Sequence, residues 1–139
     1  SSISFVLETE GKKILMMGDA HAEDIISGLK ELYGEGIEPY CFDAIKLSHH
    51  GSYNNNSPEL MTIVDSEIWI ISTDGTMYNH PDIEVLAQII TKGNDIKRRL
   101  TFNYMCPICK MLDTAELHSR YKFEIVTPDT INEPIIITI

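Results

Sequence analysis

The sequence has few basic residues and no long apolar run. Lys and Arg number 11 against 21 Asp and Glu in 139 residues, which gives a formal net charge of -10. Diffuse attraction to nucleic acid requires Lys and Arg, so nucleic acid is a disfavoured partner unless bound metal reverses the local sign. Apolar runs such as 68–71 are far shorter than the ~20 residues that cross a bilayer. We therefore expect no membrane segment in this chain.

Cysteine is also scarce. The odd count of three, with no basic and then apolar signal segment at the start, indicates a reducing compartment, and we expect a cytoplasmic location. Cys106 and Cys109 have CxxC spacing, but a structural zinc site needs a second ligand pair, and only Cys41 and His118 remain. We interpret the CxxC pair as two half-buried thiols near a turn, and a zinc or redox module stays open as the alternative.

Apolar periodicity predicts an α/β chain. Residues 3–9 and 13–17 alternate like the two strands of a hairpin. From the second of these strands to about residue 91, strand, loop and helix follow one another three times, which favours a sheet with helices packed on it. Helices are predicted over 23–33, from the N-cap Ser57 with Pro58, and from His80 with Pro81. Further strands are predicted at 42–47, 67–72, 97–105, 121–126 and 134–139, with 106–119 irregular or weakly helical.

The loops that follow three predicted strands carry the residues best suited to chemistry. In such sheets, ligands gather at the carboxyl ends of the strands, where these loops hold Asp19, His49, His50 and His80. Histidine is the commonest metal ligand, and an Asp carboxylate can bridge two divalent ions. Each signal also has a plainer interpretation, as a helix N-cap for Asp19 and as exposed loop residues for the histidines. His21 is interpreted as a helix-start residue.

Four motifs occur in a characteristic order. They are Gly18-Asp19-Ala20, then Lys46-Leu47-Ser48-His49-His50-Gly51-Ser52, then Ile71-Ser72-Thr73, then Tyr78-Asn79-His80-Pro81. Together they resemble the metallo-β-lactamase superfamily, in its branch similar to the hydrolase domain of competence DNA-uptake proteins and to choline-phosphate esterases. The resemblance covers roughly residues 3 to 91. It implies half of an αβ/βα sandwich, with a mixed sheet and helices on one face.

The resemblance also implies a site and a reaction. A pair of zinc or manganese ions would lie at one sheet edge, with Asp19 bridging them and His50 as a ligand of the second metal. His49 matches a position near the scissile group, where it would steady an oxyanion or protonate a leaving group. His80 matches a pocket-lining histidine that contacts substrate. The implied reaction is metal-assisted hydrolysis of a phosphodiester or a related ester.

One part of the family pattern is missing. The H-x-H-x-D-H motif and a further histidine, which precede the Gly-Asp block in the family, are absent from these 139 residues. We therefore expect the chain to be the C-terminal half of a hydrolase domain, with residues 1–96 as the family-like core and 97–139 as C-terminal strands or an extension. Asp19 and His50 supply two ligands where zinc usually takes three or four, so we expect weak metal binding and no activity from the chain alone.

A half-sandwich would leave one face of its sheet uncovered. A large exposed apolar patch drives association, so we expect the chain to self-associate through this face, with strand exchange as one route. The alternative function is that of a non-catalytic half-fold that acts as a binding or assembly module.

Overall fold

The computed structural model of the chain describes residues 4–47, 56–72, 82–103, 107–128 and 136–139. The strands in these residues are β1 (Phe5–Thr9), β2 (Lys12–Met16), β3 (Tyr40–Phe42), β4 (Ala44–Lys46), β5 (Val64–Ser66), β6 (Ile68–Ile71), β7 (Arg98–Phe102) and β8 (Phe123–Val126). The helices are α1 (Ala22–Tyr33), α2 (Pro58–Ile63), α3 (Ile83–Ile90), α4 (Pro107–Leu112) and α5 (Ala115–Arg120). Within the described ranges, no helix is long and apolar enough to cross a membrane.

Six strands form one mixed sheet in the order β1-β2-β4-β6-β7-β8. The β1–β2 hairpin is antiparallel, and every other neighbouring pair is parallel. Strands β3 and β5 pair in parallel as a separate two-stranded sheet. The predicted α/β class and the mixed sheet are therefore confirmed. Because each crossover steps across the large sheet in the same direction, right-handed connections put the helices on the same side.

The core lies on that helix-covered face. Alternate side chains of the central strands are buried there: Leu15, Met17, Ile45, Leu47, Trp69, Ile71, Leu100 and Phe102. The helices contribute their own apolar stripes to the same cluster, for example Ile25 and Leu29 of α1 and Leu86 and Ile89 of α3. Side chains in a strand alternate between faces, so the remaining positions of each strand form what we call the second face.

The second face carries apolar residues together with the charged Lys46, Arg99 and Glu124, and it is unevenly exposed. Its members include Phe5, Leu7, Ile14, Met16, Ala44, Ile68, Ile70, Thr101 and Val126, which the strand register aligns in two rows. Ala44, Ile68 and Thr101 are buried, whereas Phe5 and Leu7 on the edge strand β1 are 49% and 46% exposed. The most exposed apolar side chains of this face therefore lie at the β1 edge of the sheet and not at its centre.

Several predicted elements are confirmed with small shifts. Helix α1 begins one residue earlier than its periodicity predicted. Ser57 is the N-cap of α2, because its hydroxyl accepts a hydrogen bond from the Leu60 amide at 3.3 Å, and Pro58 occupies the first turn. Helix α3 begins at Ile83 with Asp82 as N-cap, and the predicted start at His80 and Pro81 lies outside the described residues. The region expected to be irregular or weakly helical contains the short helices α4 and α5.

Two predicted strands differ from the structure. The single strand expected at 42–47 is divided at Asp43, whose carboxylate accepts a hydrogen bond from the Lys13 amide at 2.8 Å and whose amide donates to the Lys13 carbonyl. The chain thereby passes from β3 in the small sheet to β4 in the large one. The strand predicted at 134–139 is not found in its described part, 136–139, where Ile136 is 88% exposed. A run of β-branched residues favours an extended chain, but a strand also needs a partner to pair with.

Candidate functional site

Three neighbouring parallel strands end at the same edge of the large sheet. The pairings of β2 with β4 and of β4 with β6 are both parallel. The ladder continues one residue beyond β2 and β4, since the Met17 amide donates to the Lys46 carbonyl at 3.2 Å and the Leu47 amide to the Ile70 carbonyl at 3.0 Å. The segments that follow these three strands therefore leave the sheet side by side, as the sequence predicted, at the edge where α/β sheets hold their ligands.

Asp19 lies in the turn that follows β2. Gly18 adopts φ 60°, a left-handed conformation that suits glycine, and the Ala20 amide donates to the Met17 carbonyl at 3.4 Å across the turn. The Asp19 side chain is exposed. Asp19 is also not the N-cap of the following helix, because that position is occupied by His21. The plain interpretation of Asp19 as a cap is thus wrong, and its carboxylate lies in the turn at the sheet edge.

His21 is a helix-start residue, as expected. Its backbone is extended (φ -69°, ψ 144°), its side chain makes no capping hydrogen bond, and its carbonyl accepts from the amides of Asp24 and Ile25. Asp24 and Glu23 lie in the first turn of α1, where negative charge suits the positive end of the helix dipole.

The predicted residues His49, His50 and His80 lie outside the described residues, in the segments 48–55 and 73–81. The structure describes what flanks these segments. Leu47 is fully buried immediately before the first of them, and Asn56 is fully buried immediately after it. The residues on either side of the segment that holds His49 and His50 are therefore both buried, and the first of them, Leu47, directly follows β4.

Two further polar residues, Asn56 and Asn103, were not singled out from the sequence. Asn56 is one of the few buried polar side chains in the described ranges. Asn103 follows β7, the next parallel strand after β6, and its backbone amide donates to the Ile71 carbonyl at 3.2 Å. Asn103 had no signal in the sequence, because it lies inside the strand predicted at 97–105, whereas β7 ends at Phe102.

The strongest charge network in the described ranges lies at the amino ends of the strands. The buried Arg98 guanidinium donates to both carboxylate oxygens of Asp65, at 3.0 and 2.7 Å, and to the Gly93 carbonyl at 2.7 Å. Lys92 lies nearby, with its ammonium 5.9 Å from the centre of the Trp69 ring. Burial lowers the pKa of Lys92, and Arg98 lowers it further, while Asp65 acts in the opposite direction. The Arg98 guanidinium and the Asp65 carboxylate use their hydrogen-bonding groups within this network, so we interpret the network as structural.

The cysteines in the described ranges do not form a cluster with other ligands. Cys109 is buried in the core on α4, and Cys41 is exposed on β3. Cys106 lies outside the described residues. In the part of the chain that the structure describes, no three His, Cys, Asp or Glu side chains are grouped as metal ligands would be. Asp19 and His50 alone do not complete a metal site, so further ligands would have to come from elsewhere.

Comparison with known proteins yields no relatives. No protein-family model matches the chain, and neither the curated proteins nor the solved structures contain a match.

Proposed function

We propose that this chain is part of a metal-dependent hydrolase of the metallo-β-lactamase type, in which two zinc or manganese ions act on a phosphodiester or a related ester. The observation that supports it most is the parallel register of β2, β4 and β6. Asp19 and the segments that hold His49, His50 and His80 follow these three neighbouring strands, at the edge where an α/β sheet binds its ligands.

In this proposal, each residue has a distinct role. Asp19 bridges the two metal ions, since its two oxygens can serve one metal each. His50 is a ligand of the second ion, His49 acts on the oxyanion or the leaving group, and His80 contacts the substrate. The metal ions would lower the pKa of a bound water and neutralise charge on the attacked group. Because the chain offers two ligands, we assign it no activity of its own.

The exposed apolar side chains of the second face, Phe5 and Leu7, lie at its β1 edge, and apolar surface of this kind is compatible with half of a sandwich. The net charge of -10 makes a small phosphodiester a better substrate for this part of the protein than a long nucleic acid. A cytoplasmic location belongs to the same proposal, because the cysteine count favours a reducing compartment.

Paramagnetic NMR tests where the metal binds. Mn²⁺ added to ¹⁵N-labelled chain should first broaden the amide signals of residues 18–20, Leu47 and Ser72, at the carboxyl ends of the strands. Asp19→Asn should remove this broadening, while Asp24→Asn, an exposed acid on α1, should leave it unchanged. Broadening that begins at Asp43, Asp65 and Glu67, at the opposite edge, would mean that Mn²⁺ follows surface acidity, and it would contradict the proposal.

A non-catalytic binding or assembly module is the second candidate. The observation in its favour is the exposed apolar surface of the second face, with Phe5 and Leu7 at its edge. This candidate predicts self-association of the chain with or without metal, whereas the hydrolase proposal requires metal at Asp19. The NMR experiment therefore separates the two.

A further inference from the structure

One row of the second face crosses the central strands near their carboxyl ends. The strand register pairs Lys46 of β4 with Ile70 of β6, and Ile70 with Thr101 of β7, so these three residues lie side by side. Met16, the last residue of β2, pairs with Lys46 on the other side. Asp19 follows Met16 by three residues, so the row lies next to the edge of the sheet where Asp19 is placed.

Lys46 is an unpaired cation in an acidic protein. Its side chain is half-buried, beside the half-buried side chains of Met16 and Ile70. The chain has 21 acidic and 11 basic residues, yet no carboxylate of the described ranges forms an ion pair with the Lys46 ammonium. A charge that is partly removed from water is stabilised by a partner of opposite sign. An anionic ligand would supply that partner.

The Thr101 hydroxyl, two strands along the same row, has no hydrogen-bond partner within the described part of the chain. Thr101 is 3% exposed, and a buried hydroxyl that forms no hydrogen bond lowers the stability of the fold. Valine would fill the same space without this cost. Packing within the chain therefore does not explain a threonine at this position, whereas an oxygen atom of a ligand would give its hydroxyl an acceptor.

We propose that Lys46 and Thr101 bind the phosphate group of a phosphodiester substrate on the second face. Neighbouring strands are about 4.8 Å apart, so a phosphate that rests on Ile70 lies one strand spacing from each of the two residues. The long Lys46 side chain reaches the phosphate with its ammonium from one side, and the Thr101 hydroxyl donates to it from the other. Lys46 and Ile70 are only half-buried, so a small anion has access from the Lys46 side.

This inference rests on the proposed hydrolase function for the class of its substrate. It adds a binding pair that the metal ligands do not provide, because the two residues lie on the second face of the strands and not in the segments that follow them. A diester phosphate carries a single negative charge, which matches the one unpaired ammonium of the row.

Titration of the ¹⁵N-labelled chain with dimethyl phosphate tests the proposal. EDTA is present throughout, and dimethyl phosphate replaces chloride stepwise at constant ionic strength. The amide signals of Lys46, Ile70 and Thr101 should shift together and give a Kd of about 1–10 mM, since one charge-assisted hydrogen bond and one neutral one support weak binding.

Three variants separate this site from general attraction of anions. Lys46→Gln should weaken binding about tenfold, because it removes the cation. Thr101→Val should weaken binding about threefold and also raise the urea midpoint of unfolding, because it removes an unpaired buried hydroxyl. Lys30→Gln is the matched control, since Lys30 is 36% exposed on α1 and lies 3.8 Å from Glu35, and it should change the affinity less than about twofold.

The variants are checked for folding by circular dichroism. The proposal is overturned if about 100 mM dimethyl phosphate shifts no signal of the row, or if Lys46→Gln and Lys30→Gln weaken binding equally. A Thr101→Val variant with wild-type affinity would also overturn it. Because EDTA removes divalent metal, failure of this titration leaves the metal proposal intact. Mn²⁺ that does not depend on Asp19 would instead remove the hydrolase proposal and leave the anion site.

Discussion

At the level of single residues, the buried ion pair of Asp65 and Arg98 is the interaction whose contribution to stability is easiest to test. Removing one member of such a pair leaves the other charge buried without compensation. We predict that Asp65→Ala lowers the free energy of unfolding by about 3 kcal/mol. Urea titration followed by the fluorescence of Trp69 measures this, because Trp69 is the only tryptophan and is fully buried.

The exposed pair of Arg99 and Glu124 is the control for that prediction. Their side chains are 45% and 37% exposed, and exposed pairs are worth about 0.5 kcal/mol. Arg99→Met should therefore change stability far less than Asp65→Ala. Equal effects of the two variants would show that the Asp65–Arg98 pair contributes no more than a surface contact.

The raised pKa of Tyr40 leads us to expect a loss of stability at alkaline pH. Its buried hydroxyl donates to the Gly34 carbonyl at 2.5 Å, and burial, followed by the charge of Glu38, raises the pKa of Tyr40 above its usual value of 10.0. A raised pKa means that the neutral form stabilises the fold fully below pH 10 and that this contribution is lost as pH rises through the folded-state pKa.

The Tyr40→Phe variant checks this sign directly. Phe does not ionise, so the stability advantage of the wild type over the variant should shrink above about pH 10. Urea midpoints for both proteins from about pH 8 to about pH 11 measure the difference, and Tyr33, whose pKa burial also raises, is common to both. An advantage that is constant with pH, or that grows, would contradict the assignment.

The sequence predicted the local roles of single residues better than their long-range contacts. The helix-start role of His21 and the N-cap role of Ser57 followed from local rules and are confirmed. The burial of Arg98 was not predicted, because an Arg in a strand pattern normally marks an exposed position. Its partner Asp65 lies 33 residues away, and sequence periodicity contains no information on such pairing.

Among the secondary-structure elements, α1 offers the clearest test of helix physics. Gly28 lies in the middle of this helix with open space where a Cβ would be, so Gly28→Ala should raise the free energy of unfolding by about 0.5–1 kcal/mol. Gly34 ends the helix with the same open space but with φ 90°, where an alanine is strained. Gly34→Ala should therefore destabilise by about 1 kcal/mol.

Chemical denaturation of the two glycine variants, at a concentration low enough to keep the chain monomeric, gives both values. The two sites have equal room for a methyl group, so only backbone conformation separates them. Effects of the same sign at both sites would mean that this conformational argument is wrong.

The elements that the sequence did not predict depend on contacts between distant segments. Strands β3 and β5 are three residues long, too short for alternation to be recognised, and their pairing joins segments that are separated in the chain by the Asp43 bend and by α2. The long periodic elements, α1 and the β1–β2 hairpin, were predicted within about two residues, since their patterns extend over several turns or pairs.

At the scale of the whole molecule, the parallel order of β2, β4 and β6 determines where the proposed metal site would lie, at the carboxyl ends of these strands. The repeat of strand, loop and helix predicted that the loops after these three strands begin at one edge of the sheet, and the parallel pairing of the strands agrees with that prediction. The histidines that the account requires lie in the segments 48–55 and 73–81, outside the described residues. The proposed binding of metal by Asp19 and His50 is supported by this strand order and by the resemblance of the motifs.

Metal content tests this claim most directly. The purified chain, equilibrated with zinc or manganese, is measured by plasma mass spectrometry beside an Asp19→Ala/His50→Ala double variant and a Cys106→Ser control. We expect weakly bound metal in the wild type, its loss in the double variant and its retention in the control. Equal metal in the wild type and the double variant, or loss of metal in Cys106→Ser alone, would contradict this expectation.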